Sequence, residues 1–378
     1  ISSKLDEEGI IISPVRYMAA GKTDQTLLDG LLARLQNPDQ SSGDFQAQVA
    51  ANLLGGKRLA QLVEKMGLEE YGHSCNRLQA YASRLARASI ADLPEGKSTF
   101  TDYLDDDGLG QEAIPIQVEL TITDGTAQLD FTGTSPQVGG NLNCPLSVTA
   151  AAVFYVFRCL MPPQVPACFG AMEAISISAP DGSLVNARSP AAVAAGNVET
   201  SMRVVDVVCG ALAKLVPGKI PAASQGTMNN LAMGSRGENG WDYYETLAGG
   251  LGAGPDCDGR SARHSHMTNT LNTPVEVIER HYPLRMLRYA LRKDSGGQGK
   301  YRGGDGISRE YLFLADAELS IISERRGHQP WGLEGGTDGA AGSNTLDDQS
   351  IAAKCQLKVR EGQRLLIETP GGGGYGRG

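Results

Sequence analysis

The chain has 378 residues, 41% of them hydrophobic, enough to bury a sizeable core in two or three domains. Its net charge of −9 argues against a nucleic-acid surface, and no apolar run approaches the roughly eighteen residues of a membrane span, so neither partner is expected. The seven cysteines are scattered without a CxxC pair, which fits reduced thiols in a cytoplasmic protein better than a disulfide framework.

Residues 22–92 read as helical. Leu27, Leu28, Leu31, Leu32 and Leu35 recur at helical spacing, followed by Val49, Leu53, Leu54, Leu59, Leu62 and Val63. A third stretch, 78–90, repeats the pattern and stops at Leu93-Pro94-Glu95-Gly96. From Ser98 the period changes to two: Ile116, Val118, Leu120 and Ile122 run into the hairpin signal Asp124-Gly125. Residues 146–161 read as a buried helix, 174–178 as a strand, and 197–215 as a helix closed by Pro217-Gly218. Beyond Pro283 strands dominate, at 285–291, 308–314, 318–323 and 363–368. The 48 glycines sit in clusters, as tight turns of a β-rich fold would require. The expected fold is α+β. A helical layer (1–97) precedes a central α/β region with long buried helices (98–282), and a β-rich sandwich or barrel (283–378) follows.

Four polar, glycine-punctuated segments exceed the needs of core packing. The first is Asp130–Ser135, where a strand ends in small hydroxyl residues. The second, Ala195–Ser201, opens a helix; with Asn197, Glu199, Thr200 and Ser201 it is either an ordinary N-cap or a binder of anions through free backbone N–H groups. The third, Ser224–Asn230, carries Gln225, Thr227 and Asn229, which either close a turn or orient a planar amide. The fourth is His264–Thr270. If this segment is extended, His264 and His266 face one side and could share a metal, although the pair supplies no third ligand. Substrate hydrogen bonding or proton transfer is the other use of these imidazoles.

Gly303-Gly304-Asp305-Gly306 and Gly371–Gly374 lack the Gly-Lys-Ser/Thr end of a phosphate loop, and no dinucleotide fingerprint or nucleophile elbow occurs. Nothing reads as an ATP site. Glu324-Arg325-Arg326-Gly327-His328 reads as an ion-paired surface or interface turn.

Together, DFTGTSPQVGGNLN (130–143), PAAVAAGNVETSMRVVDVV (190–208), PAASQGTMNN (221–230) and HSHMTNTLNTPVEVIE (264–279) resemble the signature blocks of the hydantoinase B/5-oxoprolinase family. YRGGDGISRE (301–310), ERRGHQPWGLEGG (324–336) and ETPGGGGYG (368–376) extend the resemblance over essentially the whole chain. It implies a B-type subunit of an ATP-dependent hydrolase of small cyclic amides (hydantoin, 5-oxoproline or a lactam), working in a hetero-oligomer. A hydantoinase A-type partner would use ATP and Mg²⁺ to phosphorylate the amide oxygen, and the B-type subunit would complete hydrolysis. More distantly, the resemblance reaches the large subunits of acetone-type carboxylases, so an ATP-dependent carboxylase is the alternative, and an inactive truncated scaffold a third reading.

The resemblance places Asn197, Glu199, Thr200 and His266 near the reacting group. Gln225, Thr227, Asn229, His264, Thr268 and Asn269 would position substrate. It also implies a divalent metal held by upstream Asn-Asp-Pro…His-Leu-Pro-Asp and His-His-x-Asp blocks, which do not occur in this chain. The chain begins at Ile1 without an initiator Met, so it is expected to lack the N-terminal portion of such a subunit. Where relatives carry Arg-Pro before the strand at Ile175, this chain has Glu173-Ala174.

Overall fold

The computed structural model describes residues 2–35, 37–237 and 240–378. A two-stranded ribbon, β1 (Met18–Ala19) and β2 (Lys22–Thr23), leads into helix α1 (Gln25–Leu32). The Asp24 carboxylate accepts the Leu27 N–H at 3.0 Å and so caps that helix. Helix α2 (Pro38–Met66) starts with proline at its first position and ends at Gly67, whose φ of +83° breaks it from α3 (Leu68–Ala91). The expected helical run is thus three helices; α1 buries Leu28, α2 buries nothing, and the end of α3 joins the core of the following sheet through Ala82, Ala86 and Ile90.

Strands β3 (Gly96–Asp106), β4 (Glu112–Thr123), β5 (Thr126–Asp130) and β6 (Ile175–Ser178) form one sheet in that order, antiparallel except for the parallel pair β5–β6. Alternation in β4 buries Ile114, Ile116, Val118, Leu120 and Ile122. Its hairpin turns through Asp124 and Gly125, both at positive φ, as the Asp-Gly pair demands. Helices α4 (Leu146–Leu160) and α5 (Ser201–Leu215) belong to the same core, with Val153, Phe157, Val204, Val205, Val208 and Leu212 buried.

The start of α5 departs from the sequence reading. A π-helical turn, Gly196–Thr200, precedes it, and no side chain caps either junction. The Glu199 N–H is already bonded to the Ala195 carbonyl and the Ser201 N–H to Gly196, so those donors are committed to backbone rather than free for an anion.

Strands β7 (Asn230–Ser235) and β8 (Trp241–Thr246), helix α6 (Val275–His281) and strands β9 (Leu284–Arg292), β10 (Gly306–Phe313), β11 (Ala317–Ile322), β12 (Ser343–Leu346), β13 (Gln349–Ser350), β14 (Lys354–Val359) and β15 (Arg364–Glu368) complete the chain. They build two antiparallel sheets, β13-β12-β15-β10-β9 and β14-β11-β7-β8. Leu231, Leu319 and Ile321 of one sheet share a core with Ile307, Tyr311 and Leu365 of the other, a sandwich arrangement. The second sheet joins residues 230–246 to 317–359 and so runs across position 282, where the sequence reading drew a boundary. The fold is α+β with a β-rich C-terminal part.

The glycine clusters are not chiefly turns. Segments 222–225, 249–253, 259–263, 295–305, 330–340 and 370–376 lie against one another and exchange backbone hydrogen bonds. Gly372 N–H reaches Gly304 O at 2.9 Å, Gly304 N–H reaches Leu251 O at 2.9 Å, and Gly373 N–H reaches Ala223 O at 2.8 Å. A β-carbon at Gly372 would overlap the Leu251 carbonyl, and one at Gly252 the Ala222 carbonyl. Backbones pack this closely only where side chains are missing.

Candidate functional site

The π-helical turn aims Glu199 into the interior, where the residue has no exposed surface. Its Oε1 accepts the Met228 N–H at 3.3 Å and the Asn230 Nδ2 at 2.7 Å, while Oε2 has no partner within hydrogen-bond distance. Burial, and after it the Glu324 carboxylate, push this carboxyl up to about 8. Glu324 is fully buried but ion-paired to Lys354 Nζ at 2.5 Å, and it accepts the Asp105 N–H at 2.7 Å. Glu199 therefore carries the proton of the two, and is neutral near pH 7.

A carboxyl raised above its ordinary value of 4.5 costs the fold nothing below that pH. The cost grows as pH rises toward about 8 and is constant above it. Glu199→Gln, which fixes the neutral form, is expected to leave stability nearly unchanged at pH 5 and to raise it by a few kcal/mol at pH 9. Thermal unfolding at the two pH values measures this; equal shifts at both would refute it.

Gln225, Thr227 and Asn229 are buried and bonded to one another's segment. Asn229 Nδ2 donates to Gln225 Oε1 at 2.9 Å, its N–H to Thr227 Oγ1 at 3.0 Å, and its Oδ1 accepts Arg326 Nη1 at 2.6 Å. Thr227 Oγ1 also accepts the Glu324 N–H at 3.1 Å. Asn229 sits at φ +47°, a conformation asparagine tolerates better than most residues. In this conformation the three hold loops together and do not face an open pocket.

The expected His-x-His strand is a loop. His266 lies at φ +54°, which ends the alternation, so the two imidazoles are not presented as a strand pair. His264 Nε2 lies 3.4 Å from Thr270 Oγ1, which in turn lies 2.8 Å from Thr246 Oγ1; burial holds the imidazole below its usual value. Behind it, Glu245 accepts Asn272 Nδ2 at 3.3 Å and Tyr243 Oη at 2.5 Å, and pairs with the buried Arg309. His266 Nδ1 instead lies 3.5 Å from Tyr155 Oη on α4, and burial pushes that imidazole down to about 4. Among the described residues, no group of three or more His, Cys, Asp or Glu side chains is arranged to hold a metal. His264 and His266 thus do not form the metal pair that an extended segment would have made.

The remaining expected residues divide. The Thr200 hydroxyl donates to the Leu142 carbonyl and braces the loop before α4. Thr268 is buried, its N–H bonded to Ser265 O at 3.2 Å. Asn197, in the same turn as Glu199, and Asn269 are exposed.

Sequence reasoning missed a second layer. Glu324 and Arg325 are not a surface turn; both are buried. Arg325 Nη2 reaches Asp102 Oδ2 at 2.7 Å and Asp206 Oδ2 at 2.5 Å, and Arg203 Nη1 reaches Asp206 Oδ2 at 2.7 Å. Trp331 Nε1 donates to Asp102 Oδ2 at 3.2 Å. The available signal was Arg203-Val204-Val205-Asp206 in α5, opposite charges three apart inside an apolar run, a spacing that pairs on one helix face. Asp105 lies beside this layer, accepting the Arg326 N–H at 2.7 Å and His328 Nδ1 at 2.9 Å.

Comparison with known proteins agrees with this architecture. The chain is 40% identical over its whole length to an uncharacterised protein of Methanocaldococcus jannaschii, covering 67% of that protein. It is 37% identical to 5-oxoprolinase 1 of Arabidopsis thaliana, with 99% of this chain covered but only 31% of the plant protein. The structure superposes on the ATP-dependent caprolactamase of Pseudomonas jessenii with a TM-score of 0.87 and 25% identity, covering 98% of this chain and 67% of the other. The chain thus spans two thirds or less of these relatives. The family model described as Hydantoinase B/oxoprolinase matches residues 1–378, and the chain belongs to that family.

Proposed function

We propose that the chain acts as the B-type component of an ATP-dependent cyclic-amide hydrolase, finishing hydrolysis of a ring amide that an A-type component has phosphorylated. The supporting observation is one continuous line of contacts through three of the sequence blocks. Glu199 accepts from Asn230, Asn230 pairs with Thr246 across β7–β8, and Thr246 leads through Thr270 to His264. That line runs from a buried neutral carboxyl to a half-buried imidazole beside the exposed Thr270 and Asn269.

In this reading His264 is the proton-transfer group. Its imidazole is neutral near pH 7 because burial disfavours the cation. It takes a proton from the water that adds to the phosphorylated imidate carbon. It returns that proton to the ring nitrogen, and the hydroxyl of the tetrahedral adduct gives up its proton to the same nitrogen as the C–N bond breaks, so the ring opens to an NH₂ group and an acyl phosphate. A second water then splits the acyl phosphate into carboxylate and phosphate. Glu199 and Asn230 act as positioning residues, and Gln225, Thr227 and Asn229 fix the loop behind them. ATP and Mg²⁺ belong to the A-type component. The divalent metal implied by the resemblance finds no ligand set among the described residues, and no step is assigned to it.

The test pairs the chain with an A-type component and measures ATP consumption and ring-opened product from 5-oxoproline, hydantoins and lactams. His264→Ala is expected to lower kcat by about 10²-fold or more while leaving thermal stability unchanged. Turnover of small ketones with bicarbonate, and of no cyclic amide, would replace this reading with a carboxylase. Unchanged kcat in the variant would remove His264 from it.

A further inference from the structure

Behind His264 the sandwich buries an ion pair, Arg309 Nη1 lying 2.5 Å from Glu245 Oε2, with 0% and 4% side-chain exposure. Such a pair is weak evidence of stabilisation, since well-packed apolar residues often serve a core as well. Its surroundings come from three strands. Tyr243 of β8 donates to Glu245 Oε2 at 2.5 Å, and the Tyr311 hydroxyl of β10 lies 3.5 Å from the same oxygen. The Arg309 guanidinium stands over the rings of Tyr289 of β9, 4.7 Å from the centroid, and Tyr311, 5.4 Å away.

The pair grips a single loop residue. Glu245 accepts the Thr273 N–H, and Arg309 Nη2 donates to the Thr273 carbonyl at 3.2 Å, so both backbone groups of that residue are held. Glu245 Oε1 also accepts Asn272 Nδ2 at 3.3 Å, and Asn272 Oδ1 accepts the Tyr289 hydroxyl at 3.3 Å. Just before this clamp stands Thr270, whose hydroxyl lies 3.4 Å from His264 Nε2. The tip of the loop, Asn269–Leu271, is exposed, Leu271 to 91%, so its own packing does not fix it. Glu245 also reaches His264 through its charge: burial holds the imidazole low, and the Glu245 carboxylate opposes that effect. His266 takes no part, its ring being turned toward Tyr155 of α4. Apolar residues could fill the volume of the pair. They could neither hold both backbone groups of Thr273 nor bring negative charge toward the imidazole.

We propose that Glu245, steadied by Arg309, is the positioning residue of His264. It fixes the turn against which the imidazole rests, and it favours the imidazolium formed when His264 takes a proton. The second role rests on the reaction proposed above.

Two readouts test this. In the full chain alone, NMR follows the His264 ring protons through a pH titration, their signal being the one lost in His264→Ala. Glu245→Gln is expected to move the midpoint below that of the wild type, because burial then acts unopposed. Glu245→Gln with Arg309→Met leaves no unpaired buried charge, folds where the single variant fails, and is expected to move the midpoint the same way. A clamp that only kept the loop folded would, once lost, expose His264 and raise the midpoint. With an A-type component present, Glu245→Gln is expected to lower kcat by about 10- to 100-fold with KM little changed. In a His264→Ala background it should lower kcat no further, since it acts through that side chain. A raised or unchanged midpoint overturns the proposal, and so does an additive loss of kcat. If His264→Ala turns over at the wild-type rate, the proposed reaction falls, while the titration still decides whether Glu245 governs His264.

Discussion

Gly372→Ala is expected to abolish the native fold of the C-terminal half, not merely to weaken it. A β-carbon at 372 would overlap the Leu251 carbonyl and crowd the Gly252 nitrogen, both of them backbone. A flexible side chain can move away from such a clash, but backbone in this bundle is fixed by its own hydrogen bonds, among them Gly372 to Gly304 at 2.9 Å and Gly297 to Gly372 at 2.8 Å. Separating the segments would leave several buried N–H and C=O groups without partners, each costing about 1–3 kcal/mol. The loss is expected to exceed about 5 kcal/mol, which is exceptional for a single methyl group. Gly218→Ala is the control. That glycine has positive φ and nothing within 4 Å, so its cost is local backbone strain of about 1–2 kcal/mol. Soluble yield and near-ultraviolet circular dichroism should separate the two variants. A folded Gly372→Ala protein with a similar denaturation midpoint would show that the bundle can open.

Asp102→Ala should have the next largest effect. The carboxylate lies between two arginines that have 0% and 1% side-chain exposure, Arg203 and Arg325, and also accepts from Trp331. Without it two buried cations share Asp206 alone, and breaking a buried pair from one side typically costs about 3–5 kcal/mol. Removing a cation as well should return part of this. Asp102→Asn with Arg325→Met is expected to be less destabilising than the sum of the single changes, because no unpaired charge remains. Urea denaturation of the four proteins closes the cycle. Additive effects would mean that the ions are solvated rather than coupled.

Much of the fold was legible because periodicity reports the type of element, although it did not report burial in α2, whose leucines stand exposed. The Leu-rich helices, the β4 alternation and the Asp124-Gly125 turn follow from local rules, and each lies where those rules put it. Glycine clusters were harder, since a sequence does not reveal that segments some 120 residues apart will share one hydrogen-bonded bundle. The charged 324–328 segment was misread for a related reason. Its charges look solvated until Asp102, Asp105, Asp206 and Lys354, all distant in sequence, are brought against it. At the candidate site, residue types drew attention to Glu199 and His264. Only the fold gave the path between them, which runs through Asn230, Thr246 and Thr270. His266 was separated from His264 by a single positive φ, a property that its side chain does not advertise.

The glycine bundle also constrains the order of folding during synthesis. Its segments begin near residue 222, and the 370–376 segment donates to or accepts from four of the others. That segment leaves the ribosome after all of its neighbours, so the earlier segments must wait with unpaired backbone. The β3–β6 sheet and its helices can form meanwhile from residues already released. Closure of the bundle depends on contacts of long sequence separation, and such contacts form slowly. Nascent chains stopped before residue 370 should therefore remain open to proteolysis between 222 and 340, while the β3–α5 body is already protected.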